Sequence, residues 1–309
     1  LPTLLSSSEK GEAHVSVCWL DGTVLPGEEA RISVFDHGLL YGDGVFEGIR
    51  FYQRQPFRLQ THLRRLQHSA MAIKLTLSYT LHELETAVHE VIQAFGEVEG
   101  YLRLVITRGK GSLGVNPNSC QRATTFIVAD KLSFIDPQVK QLGASLIIAA
   151  TRRLPPDGLD PRVKSLNYLN HVLARIEANH ANADEAILLN AQGHVSEGTT
   201  DNVFIVREGV LLTPPVTDGA LDGVTRGVIM ELAMELGLPC TERTLSPYDL
   251  YTAEECFLTG TAMELIPVRE IDGRALPVCP GSLYRRLQQA FTERIQTEVR
   301  YAVVEQAAS

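Results

Sequence analysis

The chain has 309 residues, 44% of them hydrophobic and 21% charged, with a formal net charge of −9. That length exceeds what one core usually organises, so a globular enzyme of two domains is expected. The acidic balance argues against a nucleic-acid partner. No apolar run reaches the roughly 18 residues of a membrane span. The five cysteines (Cys18, Cys120, Cys240, Cys256, Cys279) are odd in number and form no CxxC pair, which fits buried thiols in a reducing cytoplasm.

Leu1 to His14 lack the basic start and long apolar stretch of a signal peptide and read as a frayed tail. Val15 to Leu20 alternates before Asp21-Gly22, so a hairpin opens the fold. Val45 to Tyr52 is a second extended stretch. A helix near Thr61 to Ile73 carries Leu63, Leu66, Ala70 and Ile73 at helical spacing, and another covers about His82 to Phe95. Tyr101 to Thr107 and Thr124 to Ala129 read as strands, completing an α+β half. The pattern weakens into a Pro-containing connector between Asp130 and Leu142, where the domain boundary is placed. This divides the chain into residues 1–130, a connector at 131–142, and residues 143–309.

The second half opens with the apolar strand Ala144 to Ala150. A helix follows Lys164 with Leu166, Leu169, Val172, Leu173 and Ile176 as its apolar positions. Glu185 to Leu189, Val203 to Val206 and Val210 to Leu212 are strand-like. A helix near Thr225 to Leu236 ends before Gly237. Ser246-Pro247 is a helix start with proline at the first position. A short strand at Phe257 to Thr259 and a helix from Leu283 to Val299 close the chain.

Two familiar motifs are set aside. Gly109-x-Gly111-x-x-Gly114 matches a dinucleotide fingerprint, but Val115-Asn116-Pro117-Asn118 follows it as turn chemistry instead of a helix. It reads as a glycine loop beside a site. A zinc-binding HExxH is missing: His82 and His89 stand seven residues, roughly 10 Å, apart on a helix, too far for one metal. No metal is expected.

Lysine is scarce, six residues against 22 arginines. Five lie in the tail, the glycine loop, the connector or at a helix end. Lys164 differs, lying between the turn Pro155-Pro156-Asp157-Gly158 and a helix start rich in Asn167, Tyr168, Asn170 and His171. A lysine at a core edge loses ammonium solvation, its pKa falls, and the neutral amine can attack a carbonyl. Glu197 precedes a small polar turn, Gly198-Thr199-Thr200-Asp201, and a buried strand. Gly223, Val224 and Thr225 form a helix start with free N–H groups, a ready anion site. Thr259-Gly260-Thr261-Ala262 is a strand end with exposed amides, and Arg65 lies beside core-facing Leu66. Taken singly, each has a plain structural reading: a solvated lysine, a surface turn, an empty helix cap, a solvated arginine.

Together these residues resemble the class IV pyridoxal-phosphate aminotransferases. The signature runs Glu197-x-Thr199-x-x-Asn202-Val203-Phe204, then Leu211-x-Thr213, then Leu221-x-Gly223-Val224-x-Arg226. Asp36-His37-Gly38 to Tyr41-Gly42-Asp43-Gly44-Val45-Phe46-Glu47-Gly48-Ile49-Arg50 looks like its N-terminal motif, Lys164-Ser165-Leu166-Asn167 like its lysine motif, and Gly260-Thr261-Ala262 through Pro267-Val268 like its late phosphate and carboxylate turn. The resemblance spans residues 15 to 295. Within the family, Phe46-Glu47-Gly48-Ile49-Arg50, Tyr101-x-Arg103 and Gly114-Val115-Asn116-Pro117 look most like branched-chain amino acid aminotransferases. The Arg-x-His pair of D-amino acid aminotransferases is absent after the Tyr101 strand. Two features depart: Tyr168 follows Lys164 by four residues where many branched-chain enzymes have five, and Lys164-Ser165-Leu166-Asn167 also occurs in the D-amino acid group.

The resemblance implies an α/β (α+β) two-domain fold, an N-terminal α/β sandwich and a C-terminal pseudo-barrel with the cofactor at their interface. It implies pyridoxal 5′-phosphate bonded to Lys164, which is also the catalytic base. Glu197 would pair with the ring nitrogen, Arg65, Gly223, Val224, Thr225 and Thr261 would hold the phosphate, Tyr168 would meet the phenolic oxygen, and Leu221 would pack on the ring. Tyr101, Arg103, Thr261 and Ala262 would take substrate carboxylates, while Phe46 and Val115 would wall an apolar pocket. Tyr41 and Val115 would reach a neighbouring subunit, which implies a homodimer or a larger assembly of dimers. The implied reaction is ping-pong transfer between branched-chain L-amino acids and 2-oxoglutarate in the cytoplasm. The alternatives on the same fold are a D-amino acid or (R)-amine transaminase and an enzyme of the aminodeoxychorismate lyase type. A nucleotide-binding module using the glycine loop is the rival from another class.

Overall fold

The computed structural model describes residues 16–131 and 137–308. The tail reading and the middle of the connector fall outside them. Two sheets, one in each half, organise the chain. In the first half, β1 (Val17–Leu20) and β2 (Thr23–Pro26) form the expected hairpin. A short helix α1 (His37–Tyr41) leads into β3 (Gly44–Tyr52) and the brief β4 (Gln55–Pro56). Helices α2 (Leu59–Ala72) and α3 (Leu81–Phe95) follow, then β5 (Glu99–Thr107) and β6 (Thr124–Asp130).

These strands build one antiparallel sheet in the order β2-β1-β6-β5-β3-β4. Strand alternation sends Val45, Ile49, Leu102, Leu104, Ile106 and Ile127 into the core. Leu63, Leu66 and Ala70 of α2 and Leu84, Val88 and Ile92 of α3 cover that face. Thr80 and Glu83 form a reciprocal cap that starts α3.

The second half begins with α4 (Pro137–Leu142), inside the stretch expected to be connector, then β7 (Ala144–Arg152), α5 (Leu169–His180), β8 (Glu185–Leu189) and β9 (Val195–Glu197). Next come β10 (Asn202–Arg207), β11 (Val210–Thr213), α6 (Val224–Glu235), β12 (Cys240–Glu242) and α7 (Pro247–Tyr251). The chain closes with β13 (Glu255–Gly260), β14 (Glu264–Ile271), β15 (Arg274–Ala275) and α8 (Ser282–Ala308). The sheet order is β12-β11-β10-β13-β14-β7-β8-β9, with β15 on β14. Ala144, Ile187, Val195, Val203, Leu212, Leu258 and Ile266 come from seven of these strands yet share one buried cluster. A flat sheet of that width could not bring them together, so the sheet is curled into a half-barrel. On its outer face, Phe204, Phe257 and Leu265 pack against Val228 and Ile229 of α6 and Tyr284 and Phe291 of α8.

Two expectations need correcting. The helix after Lys164 starts only at Leu169, and the side it buries carries His171, Ala174 and Ala178. Its larger apolar residues Leu169, Val172, Leu173 and Ile176 are exposed. Close packing on Ala149 and Ala186 of the sheet favours alanine at the contact, and periodicity alone cannot say which stripe faces in. Pro267, expected within a turn, lies in β14 opposite Phe257. The β14–β7 ladder begins only at Val268, so the missing proline N–H breaks no pairing there.

Candidate active site

Lys164 belongs to the second half but is stitched to the first. Its carbonyl accepts from Phe46 N at 3.0 Å, Leu166 N donates to Gly44 O at 3.0 Å, and Lys164 N donates to Ser69 Oγ at 3.1 Å. Val45 and Ser165 form an isolated antiparallel bridge. The amine is therefore delivered at a fixed point beside β3. Its Nζ lies 4.6 Å from the Phe46 ring centre and donates to the Tyr168 hydroxyl at 3.3 Å. Burial, and next the charge of Arg65, push the amine down to about 8. Burial and the charge of Glu197 push the Tyr168 phenol up to about 12, so it stays protonated. A cavity here is lined by Lys164, Tyr168, Leu221, Arg153 and Leu154.

Arg65 is a cation of this cleft, and a fully buried acid positions it. Its Nε and Nη2 donate to the two oxygens of Glu47, each at 2.7 Å, and its Nη1 donates to Asp222 O at 2.6 Å. His62 Nδ1 adds a third donor to Glu47 at 2.7 Å. Burial alone would raise the Glu47 carboxyl, but Arg65 and His62 outweigh it and bring it to about 2. Burial also lowers His62, so it is neutral and donates through Nδ1. The bidentate fork fixes the guanidinium plane.

Glu197 ends β9 and is buried. Its Oε2 accepts from Leu221 N at 2.8 Å, while Arg153 Nε lies 2.9 Å from its Oε1. Burial raises this carboxyl despite Arg153 and the Leu221 N–H. Asn202 Nδ2 donates to Leu221 O at 2.9 Å, so the Leu221 residue is gripped at both its N–H and its carbonyl. Thr213 Oγ1 donates to Val203 O at 2.8 Å, and Arg226 donates to Pro214 O at 3.0 Å and pairs with Glu242. Much of the long sequence signature is thus scaffolding that holds the Leu221–Thr225 turn against Glu197. A Cβ on Gly223 would stand 2.0 Å from Asn202 Oδ1, which explains glycine there. Gly223 has no capping side chain, so no side chain of the N-cap residue takes the first N–H groups of α6, Val224 and Thr225 included, among the described residues.

The substrate candidates divide into two groups. Arg103 lies over the Phe46 ring at 4.5 Å, and Tyr101 acts electrostatically on Lys164, so both belong to the lysine cleft. A Cβ on Gly48 would meet the Tyr101 hydroxyl at 2.0 Å, so glycine lets that phenol cross β3. Thr261 and Ala262 lie in the β13–β14 turn, which Arg50 ties to the first half through Ala262 O at 3.1 Å and Glu264 at 2.8 Å. The Thr259 hydroxyl at the start of that turn is buried and lacks a hydrogen-bond partner among the described residues. Tyr41 and Val115 stand apart on an apolar edge. Gly114 N donates to the Tyr41 hydroxyl at 2.7 Å, and Val115 is 79% exposed.

Residues 44–271 match the family model of the amino-transferase class IV proteins. This chain belongs to the class IV aminotransferases. It is 46% identical over 276 residues to a Methanocaldococcus jannaschii protein provisionally named a branched-chain-amino-acid aminotransferase, covering 89% of this chain and 95% of that one. The crystal structure of Escherichia coli branched-chain amino acid aminotransferase superposes with a TM-score of 0.87 at 36% identity, covering 90% of this chain and 94% of that one. The branched-chain amino acid aminotransferase of Thermobaculum terrenum, solved in its pyridoxal-phosphate holo form, has a TM-score of 0.81 at 30% identity, covering 92% of this chain and 95% of that one.

For a class IV aminotransferase the donor set fits pyridoxal phosphate. A lysine with a lowered pKa suits the aldehyde, Arg65 with an uncapped helix N-terminus suits the phosphate, and a buried acid suits the ring nitrogen. Sequence reasoning named Glu47 and His171 only within motifs, and overlooked His62 and Arg153. An acid inside the apolar run Val45 to Phe51 was the available signal for Glu47. Nothing local marks Arg153, whose side-chain partners lie at positions 161, 171, 197 and 219.

Proposed function

We propose that this class IV aminotransferase transfers the amino group of branched-chain L-amino acids (leucine, isoleucine, valine) reversibly to 2-oxoglutarate, by a ping-pong cycle with pyridoxal 5′-phosphate at Lys164. The observation that carries the reading is the buried-edge amine of Lys164. It lies 3.3 Å from the Tyr168 hydroxyl and 4.6 Å from an apolar ring, in the cleft that also holds Arg65 and Glu197. The branched-chain names of the relatives support the substrate class, and the sister activities with D-amino acids, (R)-amines or lyase chemistry are not favoured.

Bound pyridoxal phosphate supplies an aldehyde for amines and a protonated ring that accepts electrons when the α-proton leaves. With its pKa near 8, the Lys164 amine is partly neutral at physiological pH, able to bond a carbonyl and then to carry the α-proton as a base. Glu197 would pair with the ring-nitrogen proton. Arg65, the N–H groups of Val224 and Thr225 beside Gly223, and the Thr261 hydroxyl would hold the phosphate. Tyr168 would donate to the phenolic oxygen, and Leu221 would pack against the ring. Tyr101 with the amides of Thr261 and Ala262 receives the α-carboxylate. Arg103, held over Phe46, receives the distal carboxylate of glutamate, and Phe46 keeps an apolar wall beneath it for leucine.

The same reading divides the chain into domains at 1–130 and 143–309. The first sheet ending at Asp130 and the second beginning at Ala144 support it. It pairs two copies through the edge carrying Tyr41, where Val34, Phe35, Leu39, Leu113 and Val115 are exposed. It places the enzyme in the cytoplasm, supported by five free cysteines. Among the described residues no helix is long and apolar enough to cross a membrane.

The deciding experiment assays L-leucine, L-isoleucine, L-valine and D-alanine separately with 2-oxoglutarate on cofactor-loaded protein, following glutamate and the new 2-oxo acid. The expected result is turnover of the three L-substrates. Turnover of D-alanine alone would overturn the branched-chain reading, and pyruvate release without an acceptor would point to a lyase. Discrimination among the three should be modest, since a methylene in an apolar pocket changes binding by about 1–3 kcal/mol.

A further inference from the structure

Behind Glu197 lies a buried polar group that the reaction scheme leaves without a role. Arg153 directly follows β7 and is 7% exposed. Its Nε lies 2.9 Å from Glu197 Oε1 and donates to Gly219 O at 2.9 Å. Its Nη2 donates to Pro161 O at 3.4 Å, and its Nη1 lies 2.5 Å from His171 Nε2. The other ring nitrogen, His171 Nδ1, is 2.7 Å from Thr199 O. A carbonyl only accepts, so Nδ1 carries the proton and Nε2 presents a lone pair to the guanidinium. Burial and the charge of Arg153 hold His171 neutral, with its pKa down to about 3. The imidazole also stacks on Tyr168, with centroids 4.4 Å apart and planes at 17°. One contact chain therefore joins Glu197, Arg153, His171 and Tyr168, two of which face the cofactor in the reading above.

We propose that Arg153 and His171 are positioning residues of the transamination. Arg153 holds Glu197 as the charged partner of the ring-nitrogen proton, and His171, locked as the Nδ1–H tautomer, keeps the guanidinium and the Tyr168 ring in register. The proposal rests on Glu197 facing that nitrogen. The physical reason is competition for one proton. Glu197 is fully enclosed, and burial favours its neutral acid form. Arg153 at the end of β7 is the largest opposing influence, followed by the Leu221 N–H, Lys164 and Arg65 of α2. Glu197 in turn adds to burial in raising Tyr168, and to burial and Glu185 in raising Asp201 of the adjoining turn. Without Arg153 the proton settles on the carboxyl, and a neutral acid cannot stabilise a protonated pyridine. A neutral His171 serves better than a charged one, because it accepts from the arginine without repelling it.

The test uses full-length protein reconstituted with pyridoxal phosphate labelled with nitrogen-15 in its ring, and reads the ring-nitrogen signal by NMR. In the wild type it should report a protonated nitrogen near neutral pH. Arg153→Gln should move it toward the unprotonated position and lower kcat about 10- to 100-fold, the usual range for outer supporting groups, with KM changed less than about threefold. Glu197→Gln is the control on the underlying reading. If Arg153→Gln keeps the wild-type signal while Glu197→Gln loses it, the proposal is overturned and the role of Glu197 stands. If neither variant moves it, both fall.

Should Arg153→Gln fail to fold, Arg153→Lys and His171→Asn carry the test. The asparagine keeps a donor for Thr199 O and removes the acceptor for Arg153. Wild-type ring signal and kcat in both would overturn the proposal. Independently of the cofactor, histidine nitrogen-15 shifts in the apoprotein should show His171 protonated at Nδ1 only, and the opposite tautomer would also overturn it.

Discussion

Two buried groups of the same composition flank the Lys164 cleft and behave in opposite ways. Glu47 with Arg65 and His62 forms one, and Glu197 with Arg153 and His171 the other. Glu47 receives three charged or strongly polar donors at 2.7 Å and is pulled down to about 2. Glu197 receives one backbone N–H, and its arginine turns its Nε proton toward Gly219 O, so burial raises its pKa. In the first group the histidine donates to the acid, while in the second it accepts from the arginine. The difference teaches what each acid can do. Glu47 has both oxygens engaged by three side-chain donors, and its work is to aim Arg65. Glu197 keeps acceptor capacity and so remains available to a ligand. Counting residue types would have called the two groups equivalent, whereas donor geometry separates them.

The largest expected effect falls on the amine that both groups serve. Lys164→Ala should lower kcat/KM by about 10⁵-fold or more, because nucleophile and base are lost together. Steady-state turnover within tenfold of wild type would remove Lys164 from the chemistry. Glu47→Gln should cost about 3–5 kcal/mol of stability, since it strands the buried charge of Arg65, and should weaken cofactor binding. Urea midpoints and cofactor titration of the apoprotein measure both. Glu197→Gln should do the reverse, lowering kcat about 10²-fold, roughly 3 kcal/mol in the barrier, while shifting the urea midpoint much less than Glu47→Gln. Equal loss of stability in the two variants would break the contrast between them.

A further effect is on the pH dependence of stability. Glu47 falls from 4.5 to about 2 on folding, so its contribution is complete above pH 4.5 and is lost as pH falls toward 2. His171 falls from 6.5 to about 3, so its contribution is complete above pH 6.5 and is lost as pH falls toward 3. Glu197 has the opposite sign: its pKa rises on folding, so stability is lost as pH climbs through the folded value. Urea titrations at a series of pH values should therefore show His171→Asn flattening the slope from pH 6.5 downward, and Glu47→Gln only from 4.5 downward. A slope that both variants alter over the same interval would contradict these assignments.

Several features were legible because they are local. The Asp21-Gly22 hairpin, the α3 start and the Ser246-Pro247 cap each depend on residues within a few positions of one another. The spacing from Glu197 to Arg226 was also readable. The structure adds that Asn202, Thr213 and Arg226 fasten the turn, leaving Glu197 and the α6 N–H groups for a ligand. The exposed stripe on α5 was misjudged because an apolar period defines a face without naming what covers it. Pro267 was misplaced because proline is excluded from a strand only where its N–H is needed.

By itself the sequence determined most of the longer helices and strands, the isolated lysine and the signature that announces a family, because these are properties of residue type and short spacing. Tertiary structure alone decided that Glu47 receives three side-chain donors and Glu197 one backbone N–H. It also decided that Arg153 reaches His171 and Glu197, and that Lys164 is pinned to β3. Those outcomes depend on which donors point at which lone pairs across separations that run from 15 residues between Glu47 and His62 to 118 between Phe46 and Lys164, and hydrogen-bond direction is set only when the chain has closed around them.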